Sequence, residues 1–134
     1  MKKISIQTDS RNQFIDITSI IAKYVREESL QCGFVYCFIP HTTAGITINE
    51  NADPDVKRDL LYKLEKEIPQ KDGYYHAEGN SDSHLKASLF GFSEQILVEN
   101  GQLVLGQWQG IYFCEFDGPR NRTLVLKAVS FDKN

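Results

Sequence analysis

The chain has 134 residues, enough for one compact domain with little room for a second. Hydrophobic residues make up 41% and charged residues 25%, which supports a packed core and excludes a disordered chain. A net charge of −3 argues against non-specific nucleic-acid binding, which needs a basic face, yet leaves room for a local basic patch that holds one phosphate.

The opening KISIQT alternates at period two and predicts a strand; no apolar stretch follows the two N-terminal lysines, so we expect no signal peptide. No segment approaches the roughly 20 apolar residues of a membrane span, and a cytoplasmic protein without membrane contact is expected. In DITSIIAKYVREESL, Ile17, Ile20, Ile21, Tyr24 and Val25 recur at helical spacing, with Asp16 or Thr18 as cap and Cys32-Gly33 as the stop. FVYCFI is apolar throughout and predicts a central strand, and GITINE alternates again. ADPDVKRDLLYKLEKEI places Val56, Leu60, Leu61, Leu64 and Ile68 on one helical face. Asp53 stands there as N-cap and Pro54 at the first helical position. QKDGYYHAEGNSDS is polar and aperiodic, a long loop of the kind that is functional or disordered; HLKASLFG is too short to type. SEQILVE-NG-QLVLGQWQGIYFCEF reads as a hairpin turning at Asn100-Gly101. DGPRNR makes a second turn and TLVLKAVSF the last strand. The sum is an α+β single domain over residues 1–134, a mostly antiparallel, sandwich-like sheet with about two packed helices.

Cys32, Cys37 and Cys114 form no CxxC pair, and two lie in apolar runs, so buried free thiols and a reducing compartment are expected. The three histidines, His41, His76 and His84, sit at strand edges or in the polar loop beside acids, amides and glycines. As solvated side chains they need no function; as a trio of imidazoles they offer a metal three ligands and an open position. Asp53, Asp55 and Asp59 are explained by the helix they begin, Asp59 pairing with Lys63 at i,i+4. That leaves Asn49-Glu50-Asn51 as an acid–amide cluster that could act as general base or bind a cation. In GQWQGIYFCEFDGPRNR, period two puts Gln107, Gln109, Ile111, Phe113 and Glu115 on one face, with Glu115 at its end where an apolar residue is expected. Arg120 and Arg122 offer forked donors to a phosphate. Gly79, Asn80, Ser81 and Ser83 supply backbone and hydroxyl donors beside His84, although the P-loop pattern is absent.

Three blocks, HTTAGITINENADPDV, HLKASLFG and NGQLVLGQWQGIYFCEFDGPR, occur in the order and register of the YjbQ family, also called secondary thiamine-phosphate synthases, which this sequence resembles from about Phe34 to Val125. The resemblance implies a homotrimer with a polar site near the subunit interface and a divalent metal, zinc foremost with magnesium and manganese as alternatives, held by His41, His84 and His76. It implies a transferase joining hydroxymethylpyrimidine pyrophosphate to thiazole phosphate with release of pyrophosphate, on a small phosphorylated metabolite. In that reading Glu50, Glu115 and Arg120 are catalytic, and Asn49, Trp108, Gln109 and Arg122 bind substrate. The rival readings are a trimeric metal-containing module that binds a metabolite without turnover, and a structural trimer.

Overall fold

The computed structural model describes residues 1–132. Eight strands and three helices follow in the order β1 Lys2–Gln7, β2 Gln13–Asp16, α1 Thr18–Glu27, β3 Cys32–Phe38, β4 Ala44–Glu50, α2 Pro54–Glu67, α3 Ser81–Phe90, β5 Ser93–Glu99, β6 Gln102–Leu103, β7 Gln109–Glu115 and β8 Asn121–Ser130. Every strand pair is antiparallel, in a five-stranded sheet β1-β8-β3-β5-β6 and a three-stranded sheet β2-β7-β4. The α+β class expected from the pattern is what forms, with three helices rather than two.

The sheets face each other. Val35, Cys37, Ile96, Val98, Leu124 and Leu126 of the larger meet Ala44, Ile46, Ile111 and Phe113 of the smaller, and α1 closes this core with Ile17, Ile21, Tyr24 and Val25. The opposite face of the small sheet carries Phe14, Tyr112, Cys114 and Phe116 against Ala87 and Phe90 of α3 and Leu60, Leu61 and Leu64 of α2. Strand β7 is therefore buried on both faces, which is why IYFCEF reads as an unbroken apolar run.

The local signals hold with four corrections. Asp53 caps α2 through Asp55 N–H (2.9 Å) behind Pro54 as expected, but Lys63 pairs with Glu67 (2.7 Å) and not with Asp59. Helix α1 stops at Glu27, well before Cys32-Gly33, because Ser29 takes a left-handed φ of 51°. Asn100 and Gly101, at φ 52° and 73°, make the two-residue hairpin turn, but the returning strand is only Gln102–Leu103. The chain then crosses to the other sheet, so IYFCEF pairs with β2 and β4. Finally SDSHLKASLF is helix, its mixed surface explained by burial of Asp82, Ser83 and Lys86.

Those polar residues are buried because they are paired. Arg11 reaches both oxygens of Asp82 at 2.9 Å, and Lys86 bridges Asp82 and Glu65 at 3.0 Å each. Burial would raise the Asp82 carboxyl, but its bonds to Arg11 and Lys86 outweigh that and hold it below the usual range. The network ties α3 to α2 and to the β1–β2 loop, fixing the helix whose first turn borders the site described next. All three cysteines are free; burial pushes the Cys37 thiol up to about 12 and Cys114 well above normal, which makes both poor nucleophiles.

Candidate functional site

The polar residues gather where the two sheets end. On the inward face of β7, Ile111 and Phe113 are followed by Glu115; on that of β8, Leu126 and Leu124 are followed by Arg122. The two charges meet across the end of the sandwich, both fully or almost fully buried. Arg122 donates Nε to Glu115 Oε1 (2.8 Å) and Nη2 to Oε2. Thr8 Oγ1 (2.8 Å) and the Phe116 and Asp117 amides (3.0 Å each) complete the carboxylate. Burial alone would raise Glu115, but the Arg122 and Asp117 hydrogen bonds dominate and keep it ionised. Glu115, expected as an acid or base, thus has every lone pair engaged and acts as the buttress that orients Arg122. Arg122 Nη2 also donates to Thr43 O (3.2 Å) and Oγ1 (2.8 Å), whereas Nη1 makes no protein hydrogen bond among the described residues.

His41 follows from strand geometry. Pairing of β3 with β8 ends at Phe38↔Val125, so the Thr123 N–H, two residues further on, has no β3 carbonyl to meet. The His41 imidazole takes its place, Nε2 accepting from Thr123 N–H at 2.9 Å. That lone pair must be unprotonated, so the neutral ring carries its hydrogen on Nδ1. Burial and the nearby Arg122 charge lower its pKa, which favours the same state.

These groups line a cleft of ≈ 460 Å³ bounded by the turn Pro40–Thr43, by Asn80 and His84 at the start of α3, and by Glu78, Asp117, Arg120 and Arg122. Asp117 is engaged by Asn80 Nδ2 (2.8 Å) and Arg120 Nη2 (3.1 Å). Arg120 is further held through its N–H to Thr8 Oγ1 (2.9 Å) and Nε to the Asp117 carbonyl (2.9 Å), with about half of its side chain exposed. Among the described residues, His41 Nδ1–H, Arg122 Nη1 and the open side of Arg120 have no hydrogen-bond acceptor, so the cleft presents a set of free donors.

The remaining expected residues divide. His76 packs its ring edge-on to His84 at 5.4 Å, its Nδ1 3.0 Å from Ser81 Oγ. His41, His76 and His84 do not converge, and among the described residues no three His, Cys, Asp or Glu side chains group as metal ligands. With His41 Nε2 already accepting an N–H, the residues present do not fit the expected three-histidine metal. Asn49, Glu50, Trp108 and Gln109 lie together but elsewhere: Glu50 pairs with Gln109 while Ala44 pairs with Glu115, and six strand steps set the ends about 20 Å apart. There they serve local structure, Asn49 Oδ1 accepting from Glu50 N–H and Gln109 Oε1 from Gly106 N–H at 2.7 Å. Thr8, Thr43 and Asp117 complete the site, and each offers the sequence only a hydroxyl or acid beside a strand end, a signal common to many surface turns.

Comparison with known proteins agrees with this fold. The YjbQ-like UPF0047 protein family matches residues 2–130. The Bacillus subtilis UPF0047 protein YugU is 49% identical over 130 residues, covering 96% of this chain and 98% of its own. The Methanocaldococcus jannaschii UPF0047 protein MJ1081 is 47% identical over 127 residues, covering 95% and 92%. A crystal structure of an uncharacterized YjbQ/UPF0047-family protein from Clostridium acetobutylicum superposes with a TM-score of 0.94 at 55% identity, covering 96% of this chain and all of that one. A conserved hypothetical protein from Thermus thermophilus gives 0.90 at 38% identity, again covering 96% and 100%. The chain therefore belongs to the YjbQ/UPF0047 family.

Proposed function

We propose that the cleft between His41, Arg120 and Arg122 binds the phosphate or diphosphate of a small metabolite. The observation that carries this is the pair of donors fixed as donors: His41, whose tautomer is set by Thr123 N–H, and buried Arg122, whose Nη1 is unused. Both are rigid before any ligand arrives, so little ordering cost opposes binding. The catalytic form of the reading is transfer of the thiamine-phosphate synthase type, in which these donors would stabilise a departing diphosphate. His84, at the wall of the cleft, is then the side chain placed to move a proton, in place of Glu115 and Glu50. The expected zinc, magnesium or manganese is not carried into the proposal, for want of a donor set.

A binding module without turnover is favoured by one observation: the acids nearest the arginines, Glu115 and Asp117, are both occupied, leaving His84 and the rim residue Glu78 as candidate bases. Turnover separates the two. Incubation with hydroxymethylpyrimidine pyrophosphate and thiazole phosphate should yield thiamine phosphate, and Arg120→Ala should abolish it. Pyrophosphate binding without product favours the module, and absence of binding overturns both.

The homotrimer belongs to this proposal too. Because Val35 and Cys37 point inward, Phe34, Tyr36 and Phe38 share the outer face of the large sheet with Leu97 and Val125, and Phe38 and Leu97 are among its exposed apolar side chains. Such a face supports association. Light scattering at three times the chain mass is expected, and a monomer would count against it. No helix among the described residues is long and apolar enough to cross a membrane.

A further inference from the structure

One hydroxyl connects the two arginines of the anion cleft. Strand β1 ends at Gln7, which pairs with Asn121, so the next residue along, Thr8, stands opposite Arg120. Thr8 N–H donates to the Arg120 carbonyl (3.0 Å), as the ladder requires, but the return bond is different: Arg120 N–H goes to Thr8 Oγ1 (2.9 Å). The side chain takes the place of the carbonyl where the chain leaves the large sheet for the β1–β2 connection. Thr8 Oγ1 has one hydrogen and two acceptors within reach, the Arg120 carbonyl at 3.0 Å and Glu115 Oε1 at 2.8 Å. The carbonyl already accepts the Thr8 amide, and the carboxylate is charged and nearer, so the hydrogen goes to Glu115. The same oxygen thus holds the backbone of Arg120 and the acid that orients Arg122, at a residue only 1% exposed. The turn from Glu115 to Arg120 is pressed against it. Gly118 N–H bonds the Arg11 carbonyl (3.1 Å), and a Cβ on Gly118 would come within 2.4 Å of the Ser10 carbonyl oxygen and 2.8 Å of Thr8 Oγ1.

We propose that Thr8 is a positioning residue of the anion site, its hydroxyl setting the spacing of the Arg120 and Arg122 guanidinium groups so that both address one ligand. Thr8 itself touches no ligand. The inference rests on the phosphate reading above and adds the group that makes two arginines into one site. Both arginines line the cleft, but their other side-chain partners are separate: the Asp117 carboxylate meets Arg120, and the Thr43 hydroxyl meets Arg122. Among the described residues, the Thr8 side chain is the one that reaches both halves. Loss of its hydroxyl would leave Arg120 N–H without an acceptor and Glu115 Oε1 with Arg122 Nε as its remaining donor. Arg120 would then be free to shift relative to Arg122, and the donors would no longer be ordered before the ligand arrives.

Calorimetric titration with pyrophosphate, chelator present, tests this. Thr8→Val keeps the shape and removes the hydroxyl, and should bind about tenfold more weakly than the wild type, while Thr8→Ser should recover most of the loss. In an Arg120→Ala background Thr8→Val should weaken binding by much less, because one of the two groups it holds is gone; a general loosening of the fold would cost the same factor in both backgrounds. A measurement on the wild type decides the matter even where Thr8→Val fails to fold. The Thr8 hydroxyl proton, sealed from water and donated to a carboxylate, should give a resolved proton resonance that shifts when pyrophosphate is added. Wild-type affinity in Thr8→Val, affinity in Thr8→Ser as weak as in Thr8→Val, an undiminished loss without Arg120, or a resonance that pyrophosphate leaves unmoved would overturn the assignment. Failure of the wild type to bind would remove the phosphate reading itself and this inference with it.

Discussion

Removing one side of the buried Glu115–Arg122 pair gives the strongest test of how the site is built. In Arg122→Met the Glu115 carboxylate keeps Thr8 and two amides but loses its counter-charge in a place sealed from water. Breaking a buried pair from one side costs about 3–5 kcal/mol, a large part of the 5–15 kcal/mol that holds a domain of this size together. Glu115→Leu should cost a similar amount, since it strands the guanidinium. The double variant Glu115→Leu/Arg122→Met removes both charges and should recover most of the loss, because apolar replacements of buried pairs are often neutral. Urea denaturation of the four proteins measures the cycle. The pH dependence has a defined sign: the Glu115 pKa is depressed in the fold, so its contribution is complete above the ordinary carboxylate range and is lost as pH falls through the folded value. Single variants costing under about 1 kcal/mol, or a double variant as unstable as the sum of the singles, would refute the buttress.

His41 should titrate below its ordinary value of 6.5 and show the Nδ1–H tautomer in nitrogen-15 spectra; its share of stability, present above 6.5, should fade as pH drops through the lower folded pKa. Asp82→Asn should destabilise by about 3 kcal/mol or more, as it takes from Arg11 and buried Lys86 the counter-charge they share; denaturation checks it. Gly45→Ala should cost about 1–3 kcal/mol, because a Cβ there would come within 2.7 Å of the Gly91 carbonyl and 3.3 Å of Phe90, and thermal melting reads the loss. Asp53→Ala should cost about 1 kcal/mol, being the side-chain cap of α2, with no effect on phosphate binding.

Much of this fold is legible in the sequence wherever the signal is local. The α2 start, the Asn100-Gly101 turn and the central place of FVYCFI rest on neighbouring residues, and each is found. Helix α3 carries no clear apolar stripe because Asp82, Ser83 and Lys86 share its inward side with Ala87 and Phe90, satisfied by Arg11 and Glu65 from distant segments, so periodicity is blurred. The long hairpin expected after Asn100-Gly101 fails for a related reason: a strand buried on both faces has the same pattern whichever sheet receives it. At the site, residue types were readable and partners were not. Glu115 stood out as a charge on an apolar face, yet its meaning depends on Arg122 arriving from the opposite sheet. Asn49 and Glu50 follow His41 closely in sequence, but the extended strand β4 carries them away from it.

The anion site proposed at His41, Arg120 and Arg122 should bind without a metal. Phosphorus-31 titration of pyrophosphate into the protein with chelator present should show saturable binding in the wild type. His41→Ala and Arg120→Ala should each weaken it about tenfold or more, the loss expected for one charge-assisted hydrogen bond. Binding that appears only when zinc, magnesium or manganese is supplied, or that survives both substitutions unchanged, would contradict it.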